Sequence, residues 1–450
     1  MKRIRRLAVL GAASALALTA CAPGSGGSGP KNTSAPKTVN TDVAKAGKVT
    51  LTVWDQEVRG GQDTRVKQLN DEFEKKYPNV TIKRVSRSFN DLQATLKLAL
   101  SGNKPPDVVE ANQGYGQMGE FVKAGMLTPL DAYAKAYGWD KRYAKSLLDL
   151  NRFTPDGKTF GSGNLYGASM DGEIVGVFYN KAKLAKIGAQ PPATWADFQA
   201  SLATAKSKGE LPIALGNLDK YPAIHELGVV QAQAAGKQAV RNLVFGRGGS
   251  FADAPNVAAA STLADWVKKG YLTPNVNGAG YDDAWKKFAT GGAGVYFIGG
   301  TWLAADMPKG AADLGFMTPP PAKAGGAPQT TGGESLPLAV TSKSPHPDVS
   351  AAYIDFMTSP HAMDVGTRNG LLPVSKPPSA KPSGPIMPDV FAAWQKVTDT
   401  DGLVPYLDYT TPDFADTLDT NLQKLLGGKA TPDATMKALQ ADYQKFKSGK

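Results

Sequence analysis

The stretch that decides the fold runs from VTLTVWDQE at residues 49–57 through DTRVKQLNDEFEKKYPNV at residues 63–80 to PPDVVEANQ at residues 105–113. Residues 49–53 alternate apolar and polar side chains, which predicts a strand, and the apolar spacing of residues 63–77 predicts a helix that Pro78 ends. A strand at residues 80–85, a second helix and a short strand at residues 107–109 follow. This βαβαβ order predicts an α/β fold with a largely parallel sheet covered by helices on both faces.

The rest of the chain repeats this alternation. Residues 172–179 are strongly apolar and predict a buried strand, and Thr194 and Asp197 have the spacing of a helix capping box. Further strands are predicted at residues 211–215, 293–298 and 336–340, and amphipathic helices at residues 257–269 and 281–289. The last third is mostly helical, with Phe414 and Leu418 beginning one apolar face.

Polar side chains follow two strands of the first sheet at their carboxyl ends. Trp54 and Glu57 end the first strand, and Asn112 and Gln113 follow the third. Ligands of open parallel sheets bind beyond the carboxyl ends of the strands. We therefore expect a binding site near these residues.

Residues 1–21 have the form of an export signal. Basic residues precede an apolar run at residues 7–18, which is shorter than the roughly 20 residues that span a bilayer. The sequence LTAC at residues 18–21 resembles a bacterial lipobox, and Cys21 is the only cysteine of the chain, so it cannot form an intramolecular disulfide. We expect a signal peptide at residues 1–20 and a lipid on Cys21 that anchors the protein to the outer face of the cell membrane.

Residues 21–47 are rich in Gly, Ser, Pro and Lys and contain almost no large apolar residue. This composition predicts a lipidated flexible tether. The roughly 400 residues beyond it are enough for two domains. The overall hydrophobic content of 42% supports a sizeable core in them.

Charge and residue usage argue against several classes of protein. The net charge of +11 falls to +7 once the signal is removed, and the basic residues are dispersed, so nucleic-acid binding is not expected. The three histidines, His225, His346 and His361, are far apart, and no metal or other cofactor is expected. A Gly-x-Ser-x-Gly elbow is missing from the sequence, which argues against an esterase.

Short segments spread over nearly the whole mature chain together carry a family resemblance. They are FEKKYPNV at residues 73–80, GMLTPLD at 125–131, LYG at 165–167, YNK at 179–181, PATWADF at 192–198, GGTW at 299–302, GGES at 332–335 and LLPV at 371–374. In these segments the chain resembles the extracellular sugar-binding proteins of bacterial ABC importers, the maltose-binding-protein-like family.

This resemblance implies two α/β lobes with a ligand cleft between them. It places lobe 1 at residues 48–168 plus 299–338 and lobe 2 at residues 169–298 plus 339–450. It also implies three hinge crossings, near Ala168, Ile298 and Leu338, and closure of the lobes around the ligand. The expected partners are a neutral di- or oligosaccharide and the ABC permease subunits in the membrane. The protein is expected to be a monomer.

A sugar site needs aromatic platforms for the faces of the ring and amides or carboxylates for its hydroxyls. Trp302, in the Gly-Gly-Thr-Trp segment where the family has a cleft aromatic, and Trp54 are the candidate platforms. A core position is the alternative for each of them. Loop positions add Tyr221 and Tyr406, and the candidate polar ring consists of Glu57, Asn112, Gln113, Asp171 and Glu334.

Two other classes of function stay open from the residues alone. A secreted glycoside hydrolase would use a pair of acids, and 40 acidic residues guarantee chance pairs. A binding protein for a polyol, a sugar phosphate or a ferric chelate would share the fold. The sequence favours a binding protein over an enzyme, and residues 56–62 and 217–225 are the loops expected to decide which solute it takes.

Overall fold

The computed structural model describes residues 38–307, 313–375 and 379–449 of the 450-residue chain. The signal peptide, Cys21 and residues 21–37 of the predicted tether lie outside the described residues. The described part is an α/β structure built on two mixed β-sheets, which define two lobes. This confirms the fold class that the sequence predicts.

Thirteen strands are present in the described residues. They are β1 Val49–Asp55, β2 Val80–Ser86, β3 Val108–Glu110, β4 Arg152–Phe153, β5 Asn164–Leu165, β6 Ala168–Ser169, β7 Gly172–Asn180, β8 Ile213–Ala214, β9 Tyr296–Gly300, β10 Leu314–Met317, β11 Thr330–Glu334, β12 Pro337–Val340 and β13 Leu403–Val404.

Sixteen α-helices are present in the same residues. They are α1 Gly60–Lys76, α2 Phe89–Ser101, α3 Glu120–Lys123, α4 Asp131–Tyr137, α5 Lys145–Leu148, α6 Lys181–Lys186, α7 Trp195–Ser207, α8 Ala223–Ala235, α9 Lys237–Val244, α10 Ala254–Lys268, α11 Tyr281–Ala289, α12 Pro347–Met357, α13 Pro360–Arg368, α14 Met387–Asp399, α15 Phe414–Leu426 and α16 Pro432–Lys447. None of the helices in the described ranges is long and apolar enough to cross a membrane.

The first lobe contains a five-stranded sheet in the order β2-β1-β3-β12-β6. β1 pairs in parallel with both β2 and β3, in the register Val49 to Val80 and Val53 to Val108. α1 begins at Gly60 and buries Val66, Leu69 and Phe73, as their spacing predicts. The βαβαβ interpretation of residues 49–110 is therefore confirmed, with β12 added antiparallel beside β3.

The second lobe is organised around β7, the longest strand. Its sheet has the order β13-β11-β7-β9-β8, and β10 also pairs with β7. β7 is antiparallel to β9, β10 and β11, and from Ile174 to Asn180 it is buried throughout. Its continuous apolar sequence fits a strand that is covered on both faces.

The strand pairing corrects the predicted lobe boundaries. Residues 299–338 were expected in the first lobe, yet the end of β9 at Gly299 and Gly300, together with β10 and β11, pairs with β7 in the second sheet. Residues 339–450 were expected in the second lobe, yet α12 and α13 pack against α1 of the first lobe. These pairings depend on contacts between distant segments, which the local sequence pattern does not encode.

The crossings between the lobes lie side by side. β6 leads to β7 through Met170 and Asp171, and β11 leads to β12 through Ser335 and Leu336. These crossings lie within a few residues of the predicted positions at Ala168 and Leu338. The predicted crossing at Ile298 is wrong because β9 stays within the second sheet, and the chain instead crosses between α13 and α14.

The end of the predicted tether belongs to the first lobe. Val43–Ala46 forms a 3₁₀ turn, and the side chain of Val43 is only 3% exposed. The amide of Asn79 donates to the carbonyl oxygens of Val43 and Gly47, at 2.9 and 2.8 Å. The boundary at residue 47 is therefore too late, because burial of the single apolar Val43 is enough to dock this segment.

Candidate functional site

A cavity of about 700 Å³ lies between the two lobes, and we call it the interlobe cavity. Its walls come from loops and helix starts of both lobes. The first lobe contributes Gln56, Val58, Arg59, Gly60, Ser88, Phe89 and Asn90. The second lobe contributes Asp219, Tyr221, Gly280, Tyr281, Asp282, Asp283, Trp285, Lys286 and Asp306.

The first-lobe wall follows from the parallel order of β1 and β2. Gln56 and Arg59 stand just beyond the carboxyl end of β1, and Ser88 and Phe89 stand beyond that of β2. Ser88 also caps α2, with its hydroxyl accepting from the amide of Asp91 at 3.2 Å. The cavity therefore lies where the sheet order predicts a ligand site.

Three aromatic rings lie in the second-lobe wall. The ring of Tyr221 lies 5.5 Å from that of Tyr281, centre to centre, and 5.6 Å from that of Phe89 on the opposite lobe. Trp285, on α11 with Tyr281, completes this surface. The rings give the cavity the flat apolar faces that the C–H faces of a sugar require.

An ion pair crosses the cavity between the lobes. Arg59 donates to the carboxylate of Asp282 at 3.0 Å, and the indole of Trp285 donates to the same oxygen at 3.0 Å. Burial opposes the charge of Asp282, but Arg59 and Trp285 hold the pKa of this carboxyl below its ordinary value. Asp282 is therefore ionised at neutral pH and ties the lobes together in this arrangement.

Tyr221 is the one predicted site residue that lines the interlobe cavity. The loops expected to decide specificity, residues 56–62 and 217–225, do meet across it, through Gln56 and Arg59 on one side and Asp219 and Tyr221 on the other. The remaining predicted residues do not line this cavity and lie in four other places.

Glu57 and Asp171 are brought together by Arg65 of α1. Arg65 donates to Glu57 at 2.8 Å and also to Asp171, and all three side chains are buried. Burial raises the pKa of Glu57 to about 7, although Arg65 opposes this change. The structure thus places these two acids in a buried ion cluster at a hinge crossing, and their assignment as ligand contacts stays a prediction.

A second set of buried and half-buried residues contains the other four predicted polar and tyrosine residues. We call this set the inner polar group, and its members are Asn112, Gln113, Asn151, Glu173, Glu334, Tyr406, Asp408 and Tyr409. The contacts that join it are Asn112 to Asp408 at 3.1 Å, Tyr409 to Gln113 at 3.1 Å and Asn151 to Glu334 at 2.5 Å. Asn112 belongs to the first lobe and Asp408 to the second lobe. The set therefore lies where the lobes touch.

The acids of the inner polar group are shifted towards their neutral forms. Burial raises the pKa of Glu173 to about 8 and that of Asp408 to about 6, and it raises the pKa of Glu334 well above its ordinary value. The nearby hydroxyl of Tyr406 lowers the pKa of Glu173, and the hydrogen bonds from Asn112 and Asn151 lower the pKa values of Asp408 and Glu334.

The two candidate platforms have different surroundings. The guanidinium of Arg87 lies 4.5 Å from the ring centre of Trp54 and covers one face of the indole. Trp302 follows β9 in the 3₁₀ turn Thr301–Asp306, and its half-buried ring lies 5.4 Å from that of His225. His225 is in turn 6.0 Å from Tyr221, so Trp302 stands directly behind the aromatic wall of the cavity.

Several cavity residues were not predicted from the sequence. Arg59 and Phe89 stand beyond predicted strand ends, and that position is the signal that could have found them. Tyr281 and Trp285 lie on the apolar face of an amphipathic helix, which predicts core packing. Both are indeed buried, but they also line the cavity, and this second role depends on the position of the other lobe.

Comparison with known proteins identifies the family. The profile of the bacterial extracellular solute-binding proteins matches residues 60–364, which is more than half of the chain. The chain belongs to this family. The resemblance inferred from the sequence is thereby confirmed. Membership of this extracellular family places the protein outside the cytoplasm.

Individual relatives agree with this assignment. A multiple sugar-binding protein of Streptococcus mutans is 24% identical over 331 residues, which cover 71% of this chain and 73% of that protein. An uncharacterized ABC transporter extracellular-binding protein of Pyrococcus horikoshii is 30% identical over 183 residues, or 39% of each chain. The solved structure of a chitin oligosaccharide binding protein has a TM-score of 0.78 at 24% identity and covers 89% of this chain and 100% of that one. This last likeness shows the two-lobe fold.

Proposed function

We propose that this protein is the extracytoplasmic substrate-binding component of an ABC importer and that it captures a neutral di- or oligosaccharide between its lobes. The multiple sugar-binding relative supports the solute class, and the Pyrococcus horikoshii relative supports the transporter type. After capture, the protein would deliver the sugar to permease subunits in the membrane.

The observation that carries the proposal is the composition of the interlobe cavity. It combines the rings of Phe89, Tyr221, Tyr281 and Trp285 with the carboxylates of Asp219, Asp282, Asp283 and Asp306. Rings bind the apolar faces of a pyranose, and a carboxylate accepts hydrogen bonds from its hydroxyls. A volume of about 700 Å³ falls in the range of small-molecule sites and has room for more than one sugar ring.

We propose binding without turnover. The family consists of solute-binding proteins, and the cavity acids are occupied in ways that suit binding. Asp282 is paired with Arg59, and Asp219 accepts from the amide of Tyr281 at 2.9 Å. A glycoside hydrolase would release shorter sugars, so chromatography of the saccharide after overnight incubation with the protein should show it unchanged.

The anchor is a proposal that rests on the sequence of residues 1–47. A lipid on Cys21 would hold the protein at the outer face of the cell membrane, and residues 21–42 would provide the reach between the membrane and the first lobe. A monomer satisfies this arrangement, because both walls of the cavity come from one chain.

A thermal-shift screen of residues 22–450 tests the proposed function. The panel contains maltotriose, cellotriose, xylotriose, chitotriose and raffinose, together with a polyol, a sugar phosphate and a ferric chelate for the alternative solutes. A ligand at 100 times its dissociation constant adds about 2.7 kcal/mol to the free energy of unfolding. A shift with one saccharide supports the proposal, and a shift with the non-saccharides alone contradicts it.

A further inference from the structure

Glu226 is a buried acid without a partner. It lies in the first turn of α8, its side chain is 1% exposed, and neither carboxyl oxygen has a hydrogen-bond partner among the described residues. In native proteins nearly all buried polar groups form hydrogen bonds. Burying a carboxyl without a hydrogen bond costs several times the net free energy that an ordinary hydrogen bond contributes to stability. The position of Glu226 therefore requires an explanation.

The surroundings of Glu226 connect it to the interlobe cavity. Burial raises the pKa of Tyr281 well above its ordinary value, and the nearby Tyr221 and Glu226 act in the same direction. His225, the residue before Glu226 on α8, has its ring 6.0 Å from that of Tyr221 and 6.2 Å from that of Tyr281. Both tyrosines line the cavity, so this turn of α8 lies behind the cavity wall.

His225 adds a second unpaired polar atom at the same place. Its ring lies 5.4 Å from Trp302, 6.0 Å from Tyr221 and 6.2 Å from Tyr281, and its Nδ1 has no hydrogen-bond partner in the described ranges. Burial lowers the pKa of His225 to about 3, so this histidine is neutral and supplies no positive charge for Glu226.

This combination has the chemistry of one end of a sugar site. Trp302, Tyr221 and Tyr281 provide ring faces. Burial raises the pKa of Glu226 well above its ordinary value, so its carboxyl is neutral at pH 7 and can donate to one sugar hydroxyl and accept from a neighbouring one. A structural role for Glu226 would need donors from the protein, and none is in place among the described residues.

We propose that Glu226, together with His225 and Trp302, forms an inner subsite that binds two adjacent hydroxyls of one pyranose ring of the captured saccharide. This inference rests on the proposed function and names residues that select its substrate. Tyr221 separates the inner subsite from the cavity, and its ring packs against Phe89 of the other lobe. Separation of the lobes would remove the contact of Tyr221 with Phe89, and the ring of Tyr221 would have to turn away from Tyr281 and His225 to admit the sugar ring.

The test uses two substitutions of Glu226 and a control on the same helix. Glu226→Leu removes the carboxyl, and Glu226→Gln keeps its shape and one acceptor oxygen. Gln231→Leu is the matched control, since Gln231 is also buried on α8 but donates to Asn256 at 2.7 Å. The melting temperature is measured without sugar, and the dissociation constant is measured with the saccharide that the screen selects from the five named above.

We expect Glu226→Leu to raise the melting temperature and to weaken saccharide binding by about 10- to 100-fold. Glu226→Gln should weaken binding less, because one acceptor remains. Gln231→Leu should lower the melting temperature and leave the affinity within about twofold of the wild type, since its hydrogen bond to Asn256 is structural. An unchanged affinity in Glu226→Leu overturns the proposal.

The melting temperature separates this inference from the proposed function. If no saccharide of the panel binds the wild type, the proposed function fails, but the sugar-free measurement still tests Glu226. A higher melting temperature in Glu226→Leu than in the wild type supports a carboxyl kept for a ligand. A lower one shows a structural carboxyl and overturns the inner subsite.

Discussion

Tyr221 is the residue that joins the two walls of the interlobe cavity, through ring contacts with Phe89 and Tyr281. We predict that Tyr221→Ala weakens saccharide binding by about 2 to 4 kcal/mol, because a buried ring face and its excluded water are lost together. Calorimetric titration measures the change. Tyr137→Ala, which removes a half-buried ring of the first lobe packed on Trp139, is the control and should leave the affinity unchanged. Equal affinities in both variants would remove Tyr221 from the site.

Glu173 makes the stability of the protein depend on pH. Burial raises its pKa to about 8, and the neighbouring Asp171, Glu57 and Asp408 add to this effect, while Tyr406 opposes it. The folded state therefore holds this proton more tightly than the unfolded chain does. Its contribution to stability is complete below pH 4.5, the ordinary value, and is lost as the pH rises through about 8.

We predict that Glu173→Gln flattens the fall of the unfolding free energy between pH 5 and pH 8, by at most about 1.4 kcal/mol per pH unit. Urea unfolding at several pH values measures this slope. Glu210→Gln is the control, because Lys186 holds the pKa of Glu210 below its ordinary value and this acid does not titrate in the same range. A slope that stays as steep as in the wild type would contradict the assignment.

At the residue scale, the sequence did not reveal which groups the chosen polar residues contact. Glu57 and Asp171 stand near strand ends and were chosen for a ligand, but both are bonded to Arg65. Arg65 is not three or four residues away from Glu57 or Asp171 in the chain. The local sequence pattern therefore does not reveal that its side chain turns into the interior and contacts both acids. Tyr221 could be predicted because a loop tyrosine after a strand has few other roles.

The hinge elements are held by a small number of backbone bonds. The backbone amide of Ser335 donates to the carbonyl oxygen of Asp171 at 2.9 Å, and that of Gly172 donates to the carbonyl oxygen of Leu372 at 3.0 Å. Three segments between the lobes therefore run side by side. Arg65 fixes this assembly from α1, since it binds the side chain of Asp171 at its centre. We propose that the lobes rotate about these crossings when the ligand binds.

We predict that Arg65→Met lowers the unfolding free energy by about 3 to 5 kcal/mol, because it leaves Glu57 and Asp171 buried without their positive partner. Adding Glu57→Gln and Asp171→Asn should recover part of the loss. Lys67→Met on the same helix is the control, and its exposed pair with Asp63 should contribute less than about 1 kcal/mol. Equal denaturant midpoints for the two single variants would show that the cluster is not a structural centre.

The elements themselves were largely predictable, and their partners were not. The strands Val49–Asp55 and Val80–Ser86 and the helix Tyr281–Ala289 match the predicted segments closely, because each carries a periodic apolar face. The residues of β10 and β11 were assigned to the wrong lobe, since the sequence of a strand does not determine which sheet it joins. The helix Ala223–Ala235 was missed because it is buried on nearly all sides and lacks a polar face.

At the scale of the whole molecule, the proposed lipid anchor and the interlobe cavity involve different parts of one chain. We predict that Cys21→Ser leaves the fold intact and abolishes lipidation, because Cys21 lies outside any periodic apolar segment of the sequence. The protein should then move from the membrane to the soluble fraction or keep its signal peptide. Fractionation with mass spectrometry of the N-terminus measures both. A lipid-bearing, processed N-terminus in this variant would refute the anchor.

The central claim is that the two lobes capture one saccharide between them. Titration calorimetry of residues 22–450 with the saccharide selected by the thermal-shift screen tests it most directly. We predict saturable binding of one saccharide per chain, with the sugar recovered intact afterwards. The claim would be contradicted if no saccharide of the panel gave binding heat. It would also be contradicted if shorter sugars were recovered from the calorimeter cell after the titration.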